Sequence, residues 1–205
     1  MAIVFPLTWP DLPVQEIDLI MVTTSAMNES PFTGQQQVYS WPRQMWRADI
    51  VLPKMPREKA EQWICFLAKL RGRVGTFLMP PIVGNVQRGS MTGSPLVDGA
   101  GQTGLELSIN GMTANSSGVF LAGDFLQLGS GSTARLHKVL NDADADATGS
   151  ATLDIWPPLR SAPADGATIV FTNPAGIFRL NQSESPFKYV SPQRASLRFS
   201  VIEDI

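Results

Sequence analysis

The sequence contains very little of the chemistry that builds disulfides and histidine sites. In 205 residues there is one cysteine, Cys65, and one histidine, His137. A single cysteine excludes an internal disulfide, and a single histidine excludes a metal site with several histidine ligands. Stability must therefore come from packing and from strand pairing.

Charge and long apolar runs are also scarce. Charged residues make up 17% of the chain, the formal net charge is -2, and there is no basic block or acidic tail. The electrostatic signature of nucleic-acid or anionic-membrane binding is therefore missing. No apolar run approaches the roughly 18 residues of a membrane span. The N-terminal stretch MAIVFPLTWPDLP has three prolines and no basic n-region, which argues against a signal peptide. We expect a soluble protein made in the cytosol, with no membrane partner.

Glycine and aromatic residues divide the chain into two compositions. Thirteen of the 17 glycines lie between residues 84 and 172, whereas 13 of the 17 aromatic residues lie outside that range. The same range carries four basic and eight acidic residues, against twelve basic and ten acidic residues in its flanks. We predict a discontinuous host domain of residues 1–83 and 173–205, and an inserted domain of residues 84–172.

Strand patterns dominate the predicted host domain. IDLIMVTTSA (17–26) predicts a strand, and the polar stretch MNESPFTGQQQ (27–37) after it predicts a long hairpin or loop. WRADIVL (46–52) and RASLRFSVI (194–202) both alternate apolar and polar residues, which is typical of a strand with one buried face. In the second of these, Ala195 falls on the predicted inward face. We expect these two strands to share one sheet.

Two further strands flank the predicted insertion. GTFLM (75–79) precedes it, and residues 177–180 follow it. Because an inserted domain needs termini that lie close together, we expect these strands to be neighbours.

The segment PREKAEQWICFLAKLRG (56–72) predicts one amphipathic helix. Pro56 suits its first turn, and Gly72 suits the left-handed residue that ends a helix. Burying the apolar stripe at about 1.5–3 kcal/mol per large side chain is comparable with the net stability of a domain, so we expect the helix to pack on the sheet. The stripe recurs at three- and four-residue spacing and consists of Ala60, Trp63, Ile64, Leu67 and Leu70.

The predicted insertion has no helical periodicity. LELSING, VFLAGDFLQLG, ARLHKVLND, ATLDIWPPL and ATIVFT supply short apolar runs separated by turn residues. About five strands in roughly 90 residues predict a small β-barrel or sandwich, and a barrel like the oligonucleotide/oligosaccharide-binding (OB) fold is one form. The predicted fold class is therefore mainly β, with one α-helix in the host domain.

Two motifs in the insertion match ligand-binding patterns only in part. GAGQTG (99–104) has G-x-G-x-x-G spacing, but a strand pattern follows where a dinucleotide site needs a helix N-terminus, so we interpret it as a turn. DADADATG (142–149) places aspartates at the first, third and fifth positions of a calcium loop. Ala147 and Leu153 occupy the positions that need glycine and glutamate. We interpret this segment as a solvated hairpin tip, and we expect no metal and no cofactor.

No constellation of catalytic residues stands out. His137 alternates within a strand pattern and has no nucleophile motif near it. Cys65, in the middle of the helix, is expected to be a small packing residue. Asp124, Asp154 and Asp165 are loose candidates for the acidic groups of a cell-wall hydrolase. We predict that the protein is not an enzyme.

The order of elements carries a resemblance to a known family. The strand WRADIVLP, the helix PREKAEQWICFLAKLRG and the strand GTFLMPP directly after it resemble the N-terminal domain of distal tail proteins. These proteins belong to long-tailed bacteriophages and related tail-like particles. The resemblance covers residues 1–82 and 176–205, and it implies a tail-tube-like β-sandwich or split barrel that carries one helix.

The resemblance also implies a structural role in the virion. Six copies would form a homo-oligomeric ring at the tail tip that joins the tail tube protein to the tail-tip hub protein. The chain would be synthesised in the host cytoplasm, and DNA would only pass transiently through the lumen. Family members often carry an additional β domain, and residues 84–172 look like such an addition, although here it is inserted.

Ring closure by heterologous contacts uses two different surfaces of each subunit. The polar hairpin is our candidate for inter-subunit or axial contacts, through Asn28, Glu29, Ser30, Phe32, Gln35, Gln36 and Gln37.

A second hypothesis is a carbohydrate-binding or host-receptor-binding module of a tail tip. The insertion would then contact glycan through exposed aromatic side chains, of which it has four: Phe120, Phe125, Trp156 and Phe171. Exposure of Trp156 would favour this hypothesis, and burial would oppose it.

Overall fold

A computed structural model describes residues 3–81, 86–184, 187–191 and 194–205. It is mainly β, with 47% strand and 9% helical residues, which confirms the predicted fold class. The described residues form one α-helix, α1 (Arg57–Leu70), and one short 3-10 helix, Gly131–Thr133. The strands are β1 Leu7–Thr8, β2 Glu16–Glu29, β3 Gln36–Val51, β4 Met55–Pro56, β5 Thr76–Met79, β6 Gly93–Val97, β7 Gly104–Met112, β8 Phe125–Leu128, β9 Arg135–Val139, β10 Ala151–Leu159, β11 Ile169–Val170, β12 Gly176–Leu180, β13 Phe187–Ser191 and β14 Arg194–Glu203.

An eight-stranded sheet takes its strands from both ends of the chain. Its path runs β1-β5-β12-β14-β3-β2, and β4 and β13 also pair with β14. The β1–β5 pair is parallel and the other pairs are antiparallel. β3 and β14 are direct neighbours, with Ile50 opposite Phe199, and β5 pairs with β12, with Phe77 opposite Phe178. Both predicted neighbour relations are confirmed.

The predicted alternation of buried and exposed residues holds in the centre of this sheet. Trp46, Ala48 and Ile50 of β3 are buried, and so are Leu197 and Phe199 of β14. The side chain of Ala195 lies outside the described part of the structure.

The helix begins after Pro56, which is its N-cap residue, and ends at Arg71, whose φ of 52° makes it the left-handed C-cap. The sequence analysis predicted Gly72 as the left-handed residue; Gly72 follows Arg71 and also has a positive φ, of 66°. Arg71 N–H donates to the Ala68 carbonyl oxygen (3.2 Å) and Gly75 N–H to the Leu70 carbonyl oxygen (2.8 Å), so the chain turns directly into β5.

The helix packs its apolar face on the sheet through aromatic rings. Trp63 lies 5.9 Å from the Phe199 ring of β14, and Phe66 lies 5.3 Å from the Phe77 ring of β5. Trp9, from the segment after β1, closes this cluster at 5.0 Å from Trp63. The buried helix residues are Ala60, Trp63, Phe66, Leu67 and Leu70.

Two side chains of the helix differ from expectation. Ile64 is only half-buried at the margin of the core, and Phe66 is buried in addition to the predicted stripe. Cys65 is exposed, so the prediction that it packs in the core is wrong. The buried face is rotated slightly towards Phe66 because the rings of Trp9 and Phe77 lie on that side.

Residues 93–170 supply a separate six-stranded sheet in the order β11-β8-β9-β10-β7-β6. Its ends meet, because Val97 N–H donates to the Ala167 carbonyl oxygen (2.9 Å) and Leu96 bridges to Thr168, so the sheet is a nearly closed barrel. It has six strands, whereas an OB-fold has five. The strand that the sequence did not predict is β6, which is short and contains Gly93 and Pro95.

Each sheet has its own apolar core, although Phe125, Leu136 and Trp156 of the barrel join the core of the eight-stranded sheet. The predicted boundary at residue 83 or 84 lies outside the described residues. That residues 84–172 form an independent domain stays a prediction.

A buried joint holds the barrel against the eight-stranded sheet. Trp46 of β3 donates its indole N–H to the Leu136 carbonyl oxygen of β9 (2.9 Å), and its ring meets the Trp156 ring edge-on at 4.4 Å. Beside it, the Glu203 carboxylate accepts the Trp46 backbone N–H (3.0 Å) and two guanidinium N–H groups of Arg160 (2.9 Å each). Because Glu203 is buried, removing Arg160 alone would leave an unpaired carboxylate inside the joint.

Candidate functional site

The hairpin of β2 and β3 continues far beyond the body of the sheet. We call residues 23–42 the arm. Its strands pair regularly from Ser25 opposite Ser40 to Glu29 opposite Gln36. Every residue of β3 from Gln36 to Arg43 is exposed, on both faces of the ribbon. A two-stranded ribbon that is open on both faces is marginally stable without a partner.

The arm leaves the sheet at a bulge. Thr23 pairs with Gln44 and Ser25 with Ser40, so three residues of β3 face one residue of β2. Pro42 lies in this bulge, where the missing backbone N–H does not interrupt the ladder. The bulge therefore marks the base of the arm.

The tip of the arm is an ordered turn that contains the residues predicted from the sequence. Ser30 N–H donates to the Gln35 carbonyl oxygen, and Gly34 N–H donates to the Ser30 carbonyl oxygen, both at 2.9 Å. Gly34 has a φ of 66°, a conformation that favours glycine. The structure thus brings the seven predicted residues together: Asn28 and Glu29 end β2, Ser30, Phe32 and Gln35 lie in the turn, and Gln36 and Gln37 begin β3.

The arm also exposes large apolar side chains that the sequence did not single out. Phe32 at the tip is 95% exposed. Met27 and Val38 are directly opposite and share one face, while Tyr39 lies on the other face. Five large apolar residues in 20 positions are exposed on the two faces and the tip of the arm, and a partner that wraps around the arm would cover them. They are Met27, Phe32, Val38, Tyr39 and Trp41.

β2 is an edge strand along its whole length, since among the described strands it pairs only with β3. An unpaired edge of 14 residues is a template for pairing with another chain. The arm and this edge together offer both apolar side chains and free backbone groups.

A cavity of about 550 Å³ lies at the base of the arm, between the two sheets. Its wall on the sheet side includes Ile17, Leu19 and Met21 of β2, and its wall on the barrel side includes Val86, Phe125 and Leu136. Met21 and Val86 are well exposed, so the cavity opens to solvent. It is large enough for a ligand or for side chains of a partner.

His137, the single histidine, is buried in the barrel. Its Nδ1 donates to the Pro157 carbonyl oxygen at 2.7 Å, because a carbonyl can only accept. The pKa of His137 is lowered to about 4, chiefly by burial; the Pro157 hydrogen bond opposes this shift, and the positive charges of Arg160 and Arg135 add to it. The neutral ring serves as a packing group with one hydrogen bond.

The three acidic hydrolase candidates each accept hydrogen bonds from a different part of the chain. The Asp124 carboxylate accepts the backbone N–H groups of Arg88 (2.7 Å), Gly89 (3.1 Å) and Leu121 (2.9 Å). Asp165 accepts the Gly99 N–H at 2.8 Å, and Asp154 accepts the side-chain N–H of Asn141. Each carboxylate thus stabilises local structure as a hydrogen-bond acceptor.

DADADATG does not form the solvated hairpin tip that the sequence predicts. Ala143 and Ala145 are buried, and their N–H groups donate to the carbonyl oxygens of Phe120 (2.9 Å) and Ser116 (2.8 Å). The segment pairs with a stretch more than 20 residues away, so its partner could not be read from local sequence.

The aspartates between these alanines also bind backbone groups. Asp142 and Asp144 each accept an N–H of the facing segment, at 2.7 and 2.6 Å. The Thr148 hydroxyl and the N–H groups of Ser150 and Thr148 lower the pKa of Asp146. Within the described residues, no group of three or more His, Cys, Asp or Glu side chains is placed to hold a metal ion.

GAGQTG forms the turn between β6 and β7, as interpreted from the sequence. Gly99, Gly101 and Gly104 all have positive φ, and the Gln102 side chain holds the turn by accepting the Ser108 N–H at 2.7 Å. The strand β7 follows directly.

The four aromatic residues of positions 84–172 are not available to stack on a sugar. Phe120, Phe125 and Trp156 are buried, and Phe171 is partly buried against the barrel core. Trp156 lies in the joint against Trp46, which opposes the carbohydrate-binding hypothesis.

No protein-family model matches the chain, and a search of the curated proteins finds no match. In the described part of the chain, no helix combines the length and apolar character required to cross a bilayer.

Proposed function

We propose that the protein is a structural subunit of a ring at the distal end of a bacteriophage tail, where it joins the tail tube to the tail-tip hub. The observation that carries the proposal is the arm, a ribbon that extends from its own sheet with apolar side chains in water. Such a ribbon is stabilised when a neighbouring subunit covers it.

The packing of the rest of the molecule supports this role. One helix braces the eight-stranded sheet through Trp63 and Phe66, and the joint at Glu203 holds the barrel to that sheet. A subunit of a ring must transmit contact forces between neighbours without unfolding locally, which such packing favours. The order β3, α1, β5 is the one on which the resemblance to distal tail proteins rests.

The charge of the arm suits a surface next to passing DNA. Glu29 is the single charged residue in positions 23–42. An almost neutral lining would not bind phosphates, because phosphate binding depends on lysine and arginine. By analogy with the family, the ring contains six copies, and the chain resides in the virion at the tail tip.

Mass measurement under native conditions tests the proposal. Six copies of the 22.3 kDa chain would give a species of about 134 kDa, and electron microscopy would show a ring. The triple variant Met27→Ser, Val38→Ser, Tyr39→Ser is expected to be monomeric. The matched control is Val74→Ser, Leu105→Ser, Leu140→Ser, which changes exposed apolar residues outside the arm and is expected to keep the ring.

A chain that stays monomeric at every concentration up to the millimolar range would contradict the proposal. An oligomer that the arm variant leaves intact would show that assembly does not use the arm, and it would also count against the proposal.

A further inference from the structure

We propose that the arm of one copy inserts Phe32 into the cavity at the base of the arm of the next copy. This inference rests on the proposed ring assembly and names both sides of its subunit contact.

The knob of this contact is Phe32. Its side chain is 95% exposed at the end of the arm, and the Ser30–Gln35 and Gly34–Ser30 hydrogen bonds hold the turn that presents it. An ordered turn loses little conformational freedom when it binds, so the phenyl ring of Phe32 is already positioned for insertion.

The hole is the cavity between the two sheets. Its walls are mainly apolar, and the exposed Met21 and Val86 at its rim would be covered by an incoming side chain. A volume of about 550 Å³ is more than one aromatic ring needs, so the cavity can also take part of the turn around Phe32.

The charges of the arm and of the cavity are complementary. Glu29, three residues before Phe32, is the single charge of the arm. The barrel wall of the cavity carries Arg88 and Lys138, and the Lys138 ammonium lies 5.0 Å from the centre of the Phe125 ring. The acidic group on that wall is Asp124, whose carboxylate already accepts three backbone N–H groups.

The opposite wall carries Glu16, which is exposed. The incoming Glu29 would therefore lie on the barrel side, near Arg88 and Lys138. The attraction between Glu29 and these two cations therefore sets the orientation of the turn in the cavity.

The contact must be between molecules. Met21 at the cavity and Glu29 at the tip are eight residue steps apart along β2, which is about 27 Å at roughly 3.4 Å per step. The tip of an arm therefore cannot reach the cavity at its own base. Knob and hole are different surfaces of one chain, so in the proposed ring the contact is heterologous and repeats head to tail.

Cysteine cross-linking tests this contact directly. In a Cys65→Ser background, a chain that keeps Phe32 and carries both Thr33→Cys, next to it in the turn, and Met21→Cys is treated with a short bismaleimide. We expect a ladder of covalent multimers that ends at the size of the native oligomer. The control chain carries Thr33→Cys and Val74→Cys, because Val74 is exposed but does not line the cavity.

The dissociation constant of the oligomer, measured by dilution, gives a second readout. Phe32→Ala is expected to weaken association by about tenfold to a hundredfold, the range for losing one buried aromatic ring, whereas Phe32→Leu is expected to retain most of it. Because the Phe32 side chain is almost fully exposed in its own chain, both variants should fold like the wild type.

The outcomes separate this inference from the ring proposal. An oligomer without the ladder of the Thr33→Cys, Met21→Cys chain, or with an equal ladder in the control chain, overturns the inference and leaves the ring standing. A monomer under every condition overturns both.

Discussion

The buried imidazole of His137 makes the stability of the protein depend on pH in a predictable direction. In the unfolded chain a histidine has a pKa near 6.5, while burial lowers the pKa in the folded protein to about 4. The unfolded state therefore binds the proton first as the pH falls. The stability that the neutral ring provides is complete above pH 6.5 and is lost progressively between pH 6.5 and pH 4.

The magnitude follows from these two pKa values. Between pH 7.5 and pH 4.5 the free energy of unfolding should fall by about 2.5 kcal/mol through this one group, which is a large part of the net stability of a typical domain. Urea unfolding followed by tryptophan fluorescence at several pH values measures it. The variant His137→Gln should lose this share of the pH dependence, whatever its own stability.

A direct titration provides the check. Because the chain has a single histidine, one imidazole signal in an NMR spectrum reports its protonation without further assignment. Equal pH slopes for the wild type and His137→Gln, or an imidazole in the folded protein that titrates near pH 6.5, would refute the assignment of His137 as a neutral packing group.

Three further substitutions test the joint and the barrel. Arg160→Met leaves the buried Glu203 carboxylate without its cation and should cost about 3–5 kcal/mol in chemical denaturation. Trp46→Phe keeps an aromatic ring but leaves the Leu136 carbonyl oxygen without its donor, which should cost about 1–3 kcal/mol by the same assay. Gly149→Ala places a Cβ 2.3 Å from a backbone oxygen at a φ of 77°, so it should lower the thermal midpoint clearly.

Each of these predictions has a matched comparison. Arg57→Met removes an exposed ion pair with Glu61 and should change stability by less than about 1 kcal/mol. Gly101→Ala meets the same kind of positive φ, 79°, but nothing within 4 Å of the new Cβ. A cost of Arg160→Met no greater than that of Arg57→Met would contradict the buried joint. Equal effects of Gly149→Ala and Gly101→Ala would mean that the close approach at Gly149 does not exist.

Much of the fold could be predicted because its signals are local. The alternation of β3 and β14 shows which face is buried, and the spacing of Ala60, Trp63, Leu67 and Leu70 indicates the helix. The polar tip with Gly34 indicates a hairpin turn. Each of these signals depends on residues within a few positions of one another, which is where periodicity and turn chemistry act.

The exposure of the arm could not be predicted in this way. Trp41 and Trp46 lie five residues apart in one strand, yet Trp41 is 48% exposed and Trp46 is 2% exposed. The pattern of residues 38–41 is that of any half-buried strand. The barrel, whose Leu136 and Trp156 contact Trp46, helps to bury this part of β3, and it does not cover Trp41 in the same way.

The sequence alone thus determined the mainly-β class, the single helix and the hairpin, because these follow from local spacing of apolar and turn residues. The tertiary structure decided which apolar residues remain in water, the pairing of residues 142–146 with a distant segment, and the cavity at the base of the arm. These features depend on surfaces that meet only after the chain has folded, since burial is a property of neighbours in space and not of neighbours in sequence.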